Sequence, residues 1–93
     1  MGLFGLNSVY VINEGSIEFG EGAVGIYGEN ISSGVENRAG ALITNNGKVN
    51  GTGIFAKNSL VENRGDIVLG DTSNGVYAEN GQIVNYGNIT AGN

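Results

Sequence analysis

The chain has no Cys, Pro, His or Trp among its 93 residues, and only four basic residues stand against nine acidic ones. Without Cys, neither a disulfide framework nor a thiolate metal site can form. Without His and Cys, the common nucleophile and base pairs of enzymes are also missing. The acidic balance lacks the positive footprint of a nucleic-acid-binding protein. We therefore predict a non-enzymatic protein with no cofactor and no nucleic-acid partner.

Long hydrophobic runs are absent as well. No segment approaches the about 20 apolar residues that a helix needs to cross a bilayer. Residues 1–12 lack the basic start of a signal peptide, so an export signal would lie outside this sequence. An anionic membrane surface would also repel a chain with a formal net charge of −5. We expect no membrane insertion by this segment.

Glycine, in contrast, is abundant, and it opens a six-residue pattern that occurs four times. The pattern is Gly, an aliphatic residue, an aromatic residue, a tiny residue, any residue and Asn, and its copies begin at Gly2, Gly25, Gly53 and Gly75. These starts are 23, 28 and 22 residues apart, a period typical of stacked repeat units. We predict one domain over residues 1–93 with about four coils, at approximately 2–24, 25–52, 53–74 and 75–93.

A second pattern follows the first in each unit: an aliphatic residue, a spacer, Asn, a spacer, Gly, a spacer and an aliphatic residue. It is clear at Asn13, Asn63 and Asn85, whereas in the second unit Asn37 and Asn45 both fit. We prefer Asn37, because the four asparagines are then 24, 26 and 22 residues apart. The second unit then carries about six extra residues. We expect them to form a bulge or a longer corner between Ile31 and Thr52.

The short aliphatic runs predict strands rather than helices. They are three to five residues long, they alternate with Asn and Gly, and none has the spacing of an amphipathic helix. Asn and Gly tolerate the positive φ that sharp corners require. We expect such corners at Asn46, Asn50, Asn74 and Asn80, each followed by Gly, and at the Asn-x-Gly positions of the second pattern. The predicted fold is all-β, a parallel β-helix (β-solenoid) with three short strands per coil and no helices.

Alternation along the first strand of each coil separates an inner face from an outer face. The aliphatic and tiny positions are predicted to lie inside: Leu3, Ile26, Ile54 and Val76, with Gly5, Gly28, Ala56 and Ala78. The aromatic positions then form an outward stripe with about 4.8 Å between neighbours: Phe4, Tyr27, Phe55 and Tyr77. This stripe is the candidate contact surface for a protein or glycan receptor. Stacked aromatics would also stabilise neighbouring strands without any partner.

Two columns of asparagine are predicted to form side-chain amide ladders along the axis, as in cross-β stacks. The first column is Asn7, Asn30, Asn58 and Asn80, and the second is Asn13, Asn37, Asn63 and Asn85. We interpret both as structural. Neutral amides without clustered carboxylates are weak calcium ligands, so no metal site is expected.

Three further functional patterns are weaker. The carboxylate pairs Glu18 with Glu21 and Glu62 with Asp66 could serve glycoside hydrolysis, but solvated surface charges explain them equally well. Residues 20–25 satisfy the dinucleotide glycine fingerprint letter by letter, yet no helix follows and Glu21 would face the pyrophosphate. No regular Thr-x-Thr array supports ice binding.

Together, the two patterns resemble the passenger repeats of large autotransporter adhesins, especially those of fusobacteria and their relatives. The resemblance covers nearly the whole chain, is strongest from Gly53 to Thr90 and is poorest across residues 31–52. Similar Asn/Gly-rich β-helices occur in filamentous haemagglutinin-like proteins. The resemblance implies a right-handed β-helix displayed on the bacterial cell surface as an extracellular stalk or adhesive rod. The resemblance does not identify a receptor.

The first and last coils suggest an alternative function. Neither carries a recognisable cap, and an uncapped solenoid exposes unpaired strand edges that favour head-to-tail addition. A contact of that kind builds an open filament, although flanking coils of a longer protein could cover the ends instead. Three hypotheses follow: an adhesive surface segment, a self-assembling subunit of an extracellular filament, and a ligand-binding module or enzyme with a groove at residues 31–52.

Overall fold

The computed structural model describes residues 2–92, so the ends of the predicted domain, Met1 and Asn93, lie outside the described residues. The described part of the chain contains twelve short β-strands and no helix. In chain order the strands are β1 (Leu3–Leu6), β2 (Val11–Asn13), β3 (Ser16–Glu18), β4 (Val24–Glu29), β5 (Val35–Asn37), β6 (Leu42–Thr44), β7 (Thr52–Lys57), β8 (Val61–Asn63), β9 (Asp66–Leu69), β10 (Asn74–Glu79), β11 (Ile83–Asn85) and β12 (Asn88–Ala91).

Each coil contributes one strand to each of three parallel sheets. The first sheet has the order β1-β4-β7-β10, the second β2-β5-β8-β11 and the third β3-β6-β9-β12. Neighbouring strands pair in parallel and in register, so that equivalent residues of successive coils lie side by side. The all-β fold, the parallel pairing and the stack of about four turns confirm the predicted β-solenoid.

The core consists of aliphatic columns parallel to the axis. Ile26 and Ile54 are fully buried and pair in register with Leu3 and Val76, which are partly buried in the end coils. Val35 and Val61 continue the core on the second sheet, and Ile43 and Ile67 on the third. Gly5, Gly28 and Ala56 are also buried, and Ala78 is half-buried. The inner face is therefore the one that alternation predicts.

The extra residues of the second coil form no single bulge. Ile26 to Asn37 spans 11 positions where Ile54 to Asn63 spans 9, and the other two corners of this coil are likewise each longer by two residues than those of the third coil. The longer corners lie at 30–34, 38–41 and 45–51. Because each corner absorbs its own two residues, the strands keep their register and no groove opens between them.

Left-handed backbone at the corners falls mainly on the asparagine that ends the first pattern. Asn7, Asn30, Asn58 and Asn80 have φ between 50° and 57°, and asparagine tolerates this region because its short side chain makes local hydrogen bonds. Among the Asn-Gly positions, Asn46, Asn50 and Asn80 have positive φ as expected. At the corner before Asn74 the left-handed residue is instead Thr72, with a φ of 54°.

The Asn-x-Gly corners were expected to use positive φ, and they do not. At Asn13 and Asn85 the side-chain Oδ1 accepts a hydrogen bond of 3.2 Å from the backbone N–H two residues later. Such a side-chain turn replaces a left-handed residue. In the third coil glycine is needed for packing, because a Cβ at Gly65 would lie 2.5 Å from the carbonyl oxygens of Arg38 and Ala41 in the preceding coil.

Close packing also accounts for the glycine that opens the first pattern. A Cβ at Gly53 would lie 2.5 Å from the carbonyl oxygen of Gly75 and 2.7 Å from Cγ2 of Ile67. We expect Gly53→Ala to lower the free energy of unfolding by about 1–3 kcal/mol, because the third and fourth coils must move apart. Urea unfolding followed by circular dichroism in dilute solution measures the change. The control is Gly15→Ala, since nothing lies within 4 Å of a Cβ at Gly15; equal losses in the two variants would contradict the steric explanation.

Candidate contact surface

The aromatic stripe lies on the outer face of the first sheet. In-register pairing places Phe4, Tyr27, Phe55 and Tyr77 at the same position of β1, β4, β7 and β10. Successive ring centroids are 5.2, 5.3 and 5.0 Å apart, with interplanar angles of 6°, 4° and 12°. The stripe is therefore a continuous stack of nearly coplanar rings whose spacing follows the strand spacing.

Because the rings stack face to face, they present mainly their edges to solvent. The end rings, Phe4 and Tyr77, are 59% and 47% exposed, whereas Tyr27 and Phe55 are half-buried. Aromatic edges carry the positive side of the ring quadrupole. The stripe thus suits a flat partner that contacts ring edges with apolar groups or carbonyl oxygens, and ring faces are accessible chiefly at its ends.

A second column borders the stripe on the same outer face, two residues after each aromatic. It reads Leu6, Glu29, Lys57 and Glu79 from the first coil to the last. The Tyr27 hydroxyl donates a hydrogen bond of 2.9 Å to Oε1 of Glu29. This bond, followed by desolvation, raises the pKa of Tyr27 above its ordinary value of 10.0. The border combines one apolar, two acidic and one basic side chain.

The second-pattern asparagines form a buried ladder. Each Nδ2 donates to Oδ1 of the asparagine in the next coil at 2.9 Å, from Asn13 to Asn37, from Asn37 to Asn63 and from Asn63 to Asn85. Asn37 and Asn63 are fully buried. The pairing of Asn37 with Asn13 and Asn63 bears out the preferred alignment of the second unit.

The first-pattern asparagines form an exposed ladder of opposite polarity. Asn58 donates to Asn30, and Asn30 donates to Asn7, both at 3.0 Å. Donation in this column therefore runs toward the first coil, whereas in the buried ladder it runs toward the last. Asn80, the fourth residue predicted for this column, occupies the same corner of the fourth coil with the same left-handed backbone, but no described hydrogen bond joins its side chain to Asn58.

Sequence reasoning missed two buried polar residues that hold the longer corners. Asn45, the rejected alternative in the second pattern, donates to the carbonyl oxygen of Lys48 at 2.9 Å and accepts the Gly70 N–H at 3.0 Å. Ser59 accepts the N–H of Ile31 at 3.0 Å. The position of Asn45 after a buried aliphatic run was the available signal, but its partner Gly70 lies in the next coil, so sequence spacing does not reveal the contact.

A chain of ion pairs on the outer face of the second sheet was also missed. Arg38 contacts Glu14 and Glu36, and Arg64 contacts Glu36 at 3.8 Å and Glu62 at 3.1 Å. The hydrogen bond to Glu36, followed by that to Glu14, raises the pKa of Arg38. The repeated Val-Glu-Asn-Arg sequence was the signal for this chain. Exposed pairs of this kind contribute little to stability.

The carboxylates considered for hydrolysis have other roles or lie in solvent. Glu62 is paired with Arg64, Asp66 accepts a hydrogen bond of 3.2 Å from Asn88, and Glu18 and Glu21 are exposed. Residues 2–92 contain no pocket and no group of three carboxylates placed to hold a metal ion. They also contain no helix long and apolar enough to cross a membrane. The stripe remains the one surface that the sequence singled out for contact.

The chain was also compared with known proteins. A scan against protein-family models, a search of curated proteins and a search of solved structures find no match.

Proposed function

We propose that this chain is a non-enzymatic structural and adhesive segment of a secreted bacterial surface protein, in which the β-solenoid is an extracellular rod. The aromatic stripe on its side would contact a protein or glycan receptor. The observation that carries the proposal is the unbroken stack of four aromatic rings on an outer face. The bacterial and extracellular setting rests on the resemblance of the repeats to autotransporter passengers.

The composition of the stripe supports a contact function. Scattered exposed apolar residues are ordinary on protein surfaces, whereas a contiguous exposed apolar patch is typical of an interaction site. Phe4, Leu6 and Tyr77, each 47–59% exposed, extend the patch to both ends of the sheet. Aromatic residues are also enriched at the energetically dominant positions of interfaces.

The flat surface of the described residues supports binding by a side face of the stack. Flat sheets without a pocket in residues 2–92 offer broad, shallow surfaces, and small-molecule sites are usually concave. The chain also has no His and no Cys for the common catalytic pairs. Contact along a flat face is the chemistry that these side chains supply best.

We expect the double variant Tyr27→Ser, Tyr77→Ser to keep its fold and lose adhesion. Each lost aromatic pair costs about 0.5–1.5 kcal/mol, which a core of buried isoleucine and valine tolerates. Fluorescent beads coated with the chain would be applied to fibronectin, laminin, collagen and epithelial cell monolayers. Binding to at least one surface should fall about tenfold or more in the variant, which corresponds to about 1.4 kcal/mol.

The matched control for the stripe is Tyr10→Ser, Tyr86→Ser. These tyrosines are 60% and 66% exposed but lie outside the stripe, and Tyr86 lies under Arg64 at 4.6 Å. The control should bind like the unmodified chain. No binding by the unmodified chain to any of the four surfaces, or equal loss in both double variants, would refute the stripe as the contact surface.

A further inference from the structure

The two ends of the rod expose edges that match each other. One end presents β1, β2 and β3, and the other presents β10, β11 and β12, because every sheet runs from the first coil to the fourth. The fourth coil also exposes core positions: Ile83 is 46% exposed, whereas Val61, its partner in register, is fully buried. We propose that a second copy of this chain is the partner of these surfaces, with its first coil stacked on the fourth coil of the copy before it. The junction involves the ends of all three sheets and shares only the end rings, Phe4 and Tyr77, with the stripe, so this inference does not require the adhesive proposal.

If the second copy stacks in register, chemically similar residues of the two copies face each other across the junction. Continuing the observed pairing places Val76 beside Leu3 of the second copy, Asn85 beside Asn13 and Ile89 beside Ile17. Tyr77 would likewise meet Phe4 and extend the aromatic stack. The junction therefore repeats the contacts that already join the coils within the chain.

The buried ladder leaves complementary hydrogen-bonding atoms at its two ends. Oδ1 of Asn85 accepts from Asn63 and from the Gly87 N–H, and no described hydrogen bond uses its Nδ2. Oδ1 of Asn13 accepts only the Gly15 N–H among the described bonds. In the stack, Nδ2 of Asn85 donates to Oδ1 of Asn13 in the second copy, which repeats the step seen three times within the chain.

The exposed ladder is complementary in the opposite direction. Asn7 accepts from Asn30 through its Oδ1, and its Nδ2 makes no described bond. Asn80 has the same left-handed backbone as Asn7 and no described side-chain bond at its Oδ1. Nδ2 of Asn7 in the second copy can therefore donate to Oδ1 of Asn80. The buried ladder thus continues across the junction, and an amide bond of opposite polarity forms at the outer corner, which a reversed partner would not permit.

Glycine placement in the first coil points to the same partner. A Cβ at Gly87 would lie 2.1 Å from the Gly65 carbonyl oxygen of the preceding coil, and one at Gly70 would lie 2.2 Å from the Lys48 carbonyl oxygen. Gly15 and Gly20 hold the equivalent positions of the first coil, where nothing lies within 4 Å and neither has a left-handed φ. Within one chain, no contact or backbone conformation requires glycine at these two positions. A fourth coil stacked against the first as the fourth stacks against the third would leave no room for a Cβ at Gly15.

The charged side chains on the strands of the two end coils do not repel each other across the junction. The only charged side chain of β10, β11 and β12 is Glu79, and the register places it opposite Leu6. Glu18 of the first coil would lie opposite Thr90. No two carboxylates of these strands face each other across the junction. Because the contact joins two different surfaces, it repeats without closing and builds a filament.

The test is a concentration series of the 93-residue chain followed by light scattering and negative-stain electron microscopy. We expect the average mass to rise above 9.5 kDa with concentration, and we expect unbranched fibres with an axial spacing of about 4.8 Å by diffraction. Gly15→Val should keep the fold in dilute solution, because its side chain points into open space. It should need about 10- to 100-fold more protein to assemble, the range expected from overpacking a tight contact.

The matched control is Ala39→Val, which adds bulk at an exposed corner of the second coil, away from both ends. It should assemble like the unmodified chain, and both variants should have the same circular dichroism and melting temperature in dilute solution. A mass of 9.5 kDa at every concentration, or equal assembly of Gly15→Val and Ala39→Val, would overturn the proposal.

Discussion

Ile54→Asp should abolish the native fold. Ile54 is fully buried in the third coil, between Ile26 and Val76 in register, and no basic side chain of the described residues lies in the core. Burial of an unpaired carboxylate costs several kcal/mol, a large share of the about 5–15 kcal/mol that stabilises a typical domain. Circular dichroism and thermal melting should show loss of the β signal and of the cooperative transition.

Two control variants separate the effect of the added charge from the effect of its position on the inner face. Ile54→Val keeps the position apolar and should cost only about 0.5–1.5 kcal/mol. Val68→Asp places the same carboxylate on an outward position that is 43% exposed, where most substitutions change stability by about 0.5 kcal/mol or less. A cooperative melt of Ile54→Asp at the temperature of the unmodified chain would show that the inner face is wrongly assigned.

Asn37→Ala should be the second most damaging change, because it breaks the buried ladder in the middle. Asn37 accepts from Asn13 and donates to Asn63 at 2.9 Å, and it also donates to the Asp66 carbonyl oxygen at 3.3 Å. Its removal leaves the fully buried Oδ1 of Asn63 without that donor. A buried polar group without its partner costs about 1–3 kcal/mol, so we expect a total loss of about 2–4 kcal/mol in urea unfolding.

The exposed ladder supplies the matched control. Asn58→Gly removes one exposed amide bond, to Asn30, and glycine adopts the left-handed backbone at this corner without a steric cost. We expect a change of about 0.5 kcal/mol or less. The contrast separates two uses of asparagine, since the inner column needs the amide and the outer column needs the left-handed corner. Similar losses in both variants would mean that the two ladders contribute alike.

Much of the fold could be predicted from the repeats because a solenoid returns each residue type to the same place in every coil. The position of Ile26 within its motif determined its burial, and the same alternation placed Tyr27 outside. These are consequences of strand geometry applied four times, so that one correct alignment assigns a whole column. The receptor and the cellular setting have no such repeated signal, and they remain proposals.

The sequence misled where one pattern has two physical explanations. Asn-x-Gly is consistent with a left-handed corner, but the structure uses an asparagine side-chain turn at Asn13 and Asn85. At Gly65 and Gly87, glycine instead allows close contact with the carbonyl oxygens of the preceding coil. The extra residues at 31–52 were expected together, but each corner absorbed two of them.

The sequence by itself determined the number of coils, the inner and outer faces and the aromatic stripe, because these follow from periodicity and alternation along one chain. Only the tertiary structure decided the polarity of the two asparagine ladders, the distribution of the extra residues and the buried roles of Asn45 and Ser59. Those features depend on which atoms of adjacent coils face each other, at separations of 22 to 28 residues. The physical reason is that hydrogen-bond direction and steric contact are properties of pairs of coils, and the repeat pattern describes each coil alone.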